Sequence, residues 1–578
     1  MILIQLIFSH FKLHLSIIIK RVHLKQKINL FIHTLMFVVF PYNFFAQEFK
    51  LRLASDKAID HIVLDKVDFK KEHTDSISVF NEIEKVSFYL KNLGYFTNTY
   101  SRIVEFDKNY IARFSLGEKI SKVIIRNNSK DILKLIDYLK ENDSITIPID
   151  KLKYTLNTIS KKLDSQGKSF SRVQLSNIEI KDKIIFADLK VYQSKKRKID
   201  KVITKGYEQF SKPHIKHYFN LRENTIFNKN KIEDISSLTK SLQFVKESKK
   251  PEVLFTKDST LLYIYLKKHQ NNSFDGLVNF TSKEDGGVLF NGYLDLKLNN
   301  ILNKGESFEL FWNSIGEEKQ EFKVSTEIPY LFNSSVSPSI SFNLFRQDST
   351  FLNTEFKTNI SYSINPKIKI AATYSSINSK NLQENITSNA IEEFKSSFFG
   401  LKFSYAKPNN DSFNNDIFFL EINPTFGNRN SKNSSTKQFR IELTTSYMWD
   451  IGKKNTIFFK NNSGYLKSDN FLNNELFRIG GANSIRGFNE QSIYTNYFSA
   501  FTVEYRFLTS QESYIYSITD LASVGNGINN ENLLGIGIGY LFKTSSSVIN
   551  LSTAVGKSTS NRFNFNKSKI IISWKNYF

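Results

Sequence analysis

Beyond residue 271 the sequence is written in period two: short stretches alternate large apolar residues with polar ones, separated by clusters of Asn, Ser, Asp and Gly. In Tyr293–Leu298, Leu294, Leu296 and Leu298 face one way and Asp295 and Lys297 the other. In Phe501–Phe507, Phe501, Val503, Tyr505 and Phe507 alternate with Thr502, Glu504 and Arg506. In Gly535–Phe542, Ile536, Ile538, Tyr540 and Phe542 alternate with Gly535, Gly537 and Gly539. This period marks strands with two unlike faces. A transmembrane barrel requires it, with lipid outside and water or a plug inside; a soluble sandwich would show it too.

Length separates the two. From Asn272 to Phe578 there are 307 residues, so sixteen strands with their turns and loops would take about 19 residues each, which suits a membrane barrel. After the N-terminal region there is no apolar run of about 18 residues, so spanning by helices is excluded. The chain ends K-I-I-I-S-W-K-N-Y-F, with Ile570, Ile572, Trp574 and Phe578 on one face and Asn576 interrupting it. An aromatic final residue on such a face reads as a C-terminal barrel signal. The fold class expected is an all-β transmembrane barrel over 271–578, preceded by small α+β domains.

Those domains come from a pattern that recurs three times between Glu48 and Lys268. Each unit has a helical stretch followed by a two-stranded hairpin. The expected helices are Ser76–Leu93, Lys151–Leu163 and Ile232–Val245, the first two stopped by Gly94 and Gly167. The expected hairpins are Tyr100–Phe106 with Tyr110–Leu116, Arg172–Ile180 with Ile184–Tyr192, and Glu252–Thr256 with Thr260–Leu266. Their turn centres recur every 75 residues or so, the period of a small domain rather than of a solenoid. The units are placed at 47–117, 118–194 and 195–270.

Residues 1–46 have the texture of an export signal. Lys25 and Lys27 precede the apolar run Ile28–Phe40, and Ala46 stands before a cut at Gln47. Met1–Leu24 are apolar but broken by His10, Lys12 and His14, which fits a start codon placed too far upstream. Composition removes several function classes. The chain has no cysteine, so disulfides, thiolate metal sites and Cys nucleophiles are out. Its nine histidines form no metal-binding spacing, and no cofactor motif is present. The net charge of +23 could suggest nucleic acid, but lysine is spread along the whole chain. The one tight run, Lys195–Lys198, reads as a solvated linker or membrane-surface patch between units, so no nucleic-acid partner is expected.

One segment stands apart, F-R-I-G-G-A-N-S-I-R-G-F from Phe477 to Phe488. Gly480, Gly481 and Gly487 surround a single arginine, Arg486, flanked by Ile485 and Phe488. Glycines allow sharp turns and close backbone approach, and an arginine on such a turn offers a rigid fork to a carboxylate. Glu504 and Asp520 follow on expected strands. Alone, the segment is equally a Gly-rich hairpin carrying a solvated arginine.

Taken together, the signal, the three units, the terminal barrel and this segment resemble the BamA/TamA family of outer-membrane assembly factors, over essentially the whole mature chain. Three units and this length look closer to TamA. The resemblance implies periplasmic POTRA domains, a sixteen-stranded barrel, and a long extracellular loop folded back into the lumen with R-G-F at its tip. It implies that Arg486 pairs with Glu504 and Asp520 as a structural, gating contact. Asp520 fits less cleanly: it shares parity with Tyr514, Tyr516 and Ile518, and Leu521-Ala522-Ser523 separates it from Gly525 where the family has a small residue and Gly. The glycine face at Gly535, Gly537 and Gly539 would leave room for the loop.

The function expected is assembly or translocation of outer-membrane proteins, by strand capture on POTRA edges and a lateral seam in the barrel. The alternative is a two-partner secretion pore for one dedicated exoprotein, although that class usually carries two POTRA units and a plug helix. A passive porin or adhesin would leave the repeats without a role. Expected partners are unfolded outer-membrane or secreted clients, outer-membrane lipid, and a periplasmic or inner-membrane subunit. No enzyme is expected. Gly556-Lys557-Ser558-Thr559 lacks the first glycine of a phosphate-binding loop, with Leu551 in its place, and no G-x-S-x-G elbow occurs.

Overall fold

The computed structural model describes residues 49–105, 109–126, 140–141, 144–282, 288–315, 319–383, 391–409, 413, 416–432, 434–525 and 530–578. The export signal and the tip of the first expected hairpin lie outside them. The chain falls into two units, one of Met1–Lys162 with Ser171–Tyr192, the other of Leu163–Phe170 with Gln193–Phe578.

The first unit holds two small α+β domains. In the first domain, strand Phe49–Ala54 runs parallel to Asn109–Ser115, which pairs on its other side with Thr99–Glu105. Helix Ser76–Asn92 begins where the Asp75 carboxylate accepts the Ser78 N–H at 2.7 Å, an N-cap. Its residues Val79, Ile83, Val86 and Leu90 are buried against Leu51, Ala112 and Phe114. The second domain repeats the topology: Lys122–Arg126 is parallel to Ile184–Tyr192, and Arg172–Lys181 forms the hairpin. That hairpin turns through Asp182 and Lys183, whose φ values of 50° and 61° give the turn twist that suits a two-residue loop.

A third domain in the second unit has the same plan, with Lys201–Lys205 parallel to Thr260–Lys268 and Val245–Phe255 at the edge. Here the structure corrects two boundaries. The helix is Lys229–Ser241, capped by Asn228, and Val245 starts the strand instead of ending the helix. The apolar spacing ran on past Ser241 because Phe244 and Val245, though no longer helical, point into the same core as Ile235. Lys195–Lys198 is also more than a solvated linker. The Arg197 N–H donates to the Gly167 carbonyl at 2.9 Å and its carbonyl accepts from Phe227 at 3.1 Å, while the lysine heads stay exposed.

The rest of the chain is a closed barrel of sixteen antiparallel strands in sequence order, from Ser273–Ser282 to Lys569–Tyr577. No helix among the described residues is long and apolar enough to cross a membrane; the strands do so. Period two fixes the faces. On the twelfth strand, Tyr497–Ser510, Phe501, Tyr505 and Phe507 point outward and Glu504 inward. On the last strand Ile570, Ile572 and Trp574 are all exposed, as is Phe578 just beyond it, forming the apolar outer face that lipid requires. Neighbouring strands pair over long registers, but the first and last meet in two residue pairs, Ser273–Tyr577 and Phe274–Asn576, with the Phe578 N–H donating to Asn272 at 2.9 Å.

The third domain is bolted to the strand turns at one end of the barrel. The Tyr207 hydroxyl donates to Asn303 at 2.6 Å and accepts from Asn300 at 2.9 Å. His217 stacks on Tyr330, its Nε2 donating to the Asn333 carbonyl at 2.8 Å. His214 is buried among Phe210, Phe244 and Tyr330, and burial, with Lys369 adding, pushes its pKa down to about 4.

Candidate functional site

Between the eleventh strand, Asn455–Lys467, and the twelfth, residues 468–496 fold into the lumen. A short hairpin, Phe477–Ile479 with Ile493–Thr495, carries the R-G-F segment at its tip. Gly480 and Gly481 turn the chain there; the space a Gly481 side chain would fill holds the Glu490 carboxylate, which accepts the Ala482 N–H at 3.0 Å. Ile485 is fully buried with Ile479, Ala500, Ala522, Val524 and Leu533, anchoring the tip to the wall through apolar contact.

Arg486 then meets two carboxylates. Its Nε and Nη2 donate to the two oxygens of Asp520, each at 2.7 Å, and its backbone N–H donates to the same carboxylate at 2.9 Å. Nη1 donates to Glu504 at 2.6 Å. Asp520, on the thirteenth strand Ser513–Gly525, is 1% exposed and Glu504 6% exposed. Such a bidentate, desolvated pair is specific in geometry and costly to break from one side.

Asp520 thus accepts three of the four hydrogen bonds from Arg486, contrary to its parity-based ranking. Its strand has an inward face that is large and apolar, with Tyr514, Tyr516 and Ile518 buried, because it packs against lumen-filling groups instead of water. Polarity therefore misreports which face is inside. The glycine face is also only partly as expected. A side chain at Gly535 would strike the Arg486 carbonyl at 2.1 Å, so that glycine does admit the loop. Gly539 instead accommodates the Tyr516 ring and Gly537 backs on Thr553. Gly556, on the fifteenth strand, receives Gly487 and the Phe488 ring. Gly487 itself has φ of 94°, which a side chain rarely tolerates.

Two further groups complete the site. Arg506 donates to the second oxygen of Glu504 from Nε at 2.9 Å and Nη2 at 2.7 Å, and lies over the Phe458 ring at 4.0 Å. Glu504 and Arg506 stand two apart on one strand face, a spacing visible in the sequence. At the loop's base, Arg429, 1% exposed, pairs with Glu475 and bonds to Asn470, while Glu475 accepts from Gln438 at 2.8 Å. No local signal links residues so distant in the chain.

Neither a family model nor a curated protein matches the sequence. Solved structures do. CdiB from Acinetobacter baumannii is similar at 14% identity and TM-score 0.52, over 79% of this chain and 90% of that one. The chain has the fold of this CdiB. CdiB from Escherichia coli is similar at 12% identity and TM-score 0.49, over 87% of this chain and 97% of that one. BamA from Haemophilus ducreyi lacking POTRA domains 1–3 is similar at 13% identity and TM-score 0.43, over 78% of this chain and 99% of that one. In this chain that fold is three small α+β domains followed by the sixteen-stranded barrel.

Proposed function

We propose that this chain sits in the outer membrane of a Gram-negative bacterium, POTRA-like domains in the periplasm, and inserts or translocates other proteins. It acts on polypeptides by binding and release, without covalent chemistry. Exposed domain edges such as Val245–Phe255 take up an extended client segment as an added strand. The seam between first and last strands then opens, and a client strand pairs there. The observation that carries this reading is the contrast in pairing. The seam is held by two residue pairs, whereas the first strand meets the second over ten, Ser273–Lys297 to Ser282–Val288. A barrel meant only to stand closed would spend its backbone hydrogen bonds at every junction, since unpaired ones are costly in lipid.

A second reading is a pore for one dedicated exoprotein, supported by inward ion pairs such as Lys297–Glu309 and Lys402–Glu421 that line part of the lumen with charge. Depletion of the chain followed by a quantitative outer-membrane proteome tests both. Loss of several unrelated barrel or surface proteins supports the assembly factor. Loss of a single secreted protein, with the barrels untouched, overturns it in favour of the pore.

A further inference from the structure

A cavity of about 1190 Å³ lies between the edge strand of the third domain and the adjoining barrel mouth. It exceeds the roughly 1,000 Å³ upper range of small-molecule clefts. Its lining carries five lysines, Lys240, Lys246, Lys267, Lys268 and Lys543, and His269, against two acids, Glu247 and Glu512. Glu247 is partly engaged, accepting the Ser236 hydroxyl at 2.6 Å.

The placement of this charge is costly. Lys246 and Lys267 are direct cross-strand partners, an arrangement in which like charges repel. His269 feels the same field: burial lowers its proton affinity, and Lys246 and Lys543, from the domain and the barrel, lower it further. Charge held together against its own repulsion, in a concave space, is suited to a negative occupant.

Two observations say what kind. One wall is the start of Val245–Phe255, which pairs only with Thr260–Lys268 among the described strands and so offers main-chain donors and acceptors to an extended chain. The lining also reaches Asn271, beside the first barrel strand, and Tyr577, on the last. The cavity thus opens beneath the seam, with a strand-accepting edge and a basic field at one place.

We infer that this vestibule holds an acidic, extended segment of the client polypeptide, taking its backbone on the edge strand and its Asp and Glu side chains among Lys246, Lys267 and Lys543, before it enters the seam. This rests on the insertion reading above and adds selectivity for the client's charge.

The test uses the full chain in nanodiscs of neutral phosphatidylcholine and fluorescent peptides alternating Val with Asp, Gln or Lys, read by anisotropy. The Asp peptide should bind about tenfold tighter than the Lys peptide, with the gap narrowing at high salt. Lys246→Gln with Lys267→Gln should remove most of that gap while the barrel keeps its heat-dependent gel mobility. Equal binding of all three peptides overturns the inference, and so does a preference the double variant leaves intact. A third result also overturns it: lysine-dependent binding of phosphatidylglycerol with no peptide preference, which would make the cavity a lipid site. Client folding into vesicles separates the parent reading. If the wild-type chain speeds it while peptide selectivity is absent, only this inference falls; if the wild-type chain does not speed it, the insertion reading falls.

Discussion

The lumen has two unlike walls. On strands twelve to fifteen the loop is pressed home: Ile485 is fully buried, Gly535 and Gly556 leave no space for side chains, and Arg486 is clamped at 2.6–2.7 Å by Glu504 and Asp520. On strands two to nine, apart from the buried Arg429–Glu475 pair at the loop's base, inward residues form looser ion pairs. Lys297–Glu309 and Lys402–Glu421 stand at 3.4 Å, and Lys369–Glu327 at 3.7 Å with both side chains more than 40% exposed. Charge is thus used in two ways. On the wet wall it keeps the lumen hydrated; on the dry wall, where desolvation magnifies every interaction, it fixes one conformation of one loop.

The largest blow to this contrast is removal of a dry-wall carboxylate. Asp520→Asn leaves Arg486 buried with half its charge partners and should cost about 3–5 kcal/mol, seen as a lower temperature for the heat-induced mobility shift of the folded barrel. A loss no larger than at an exposed pair would erase the distinction between the walls.

The domain junction tests dryness by pH. His214 is held neutral, its pKa lowered from 6.5 to about 4. The unfolded chain takes up the proton first as pH falls, so stability is complete above pH 6.5 and declines toward pH 4, by about 3 kcal/mol at most. His214→Phe should flatten that part of a denaturation–pH profile; an unchanged slope would mean water reaches the junction.

Gly487→Ala separates shape from charge. A Cβ there would lie 2.5 Å from the Gly556 backbone at φ of 94°. The strain should cost at least about 1–3 kcal/mol with every charge retained, and show as faster protease cleavage within 468–496. Lys297→Ala on the wet wall should be the mildest change, within about 1 kcal/mol in the same melting assay.

The sequence carried much of this because its periods are physical. Alternation at Phe501–Phe507 set the lipid face, and the spacing of Val79, Ile83, Val86 and Leu90 set a helix's core face. The R-G-F segment was legible because glycines and arginine have restricted uses. What escaped was non-local or masked by packing. Arg429 and Glu475 meet only because the loop folds inward. Asp520 was under-ranked because a plugged lumen makes tyrosine and isoleucine interior residues too. Val245 was assigned to a helix because helix, turn and strand feed one core.

The Glu504 and Asp520 carboxylates hold the loop in the lumen. The chain contains no cysteine, so a single Ile485→Cys reports directly on the tip, with Ala482→Cys as an exposed control. Maleimide labelling of Cys at 485 in the folded, membrane-embedded protein should be slow, and about tenfold or more faster once Asp520→Asn is added, with the control unchanged. Equal rates at 485 with and without Asp520 would contradict the clamp.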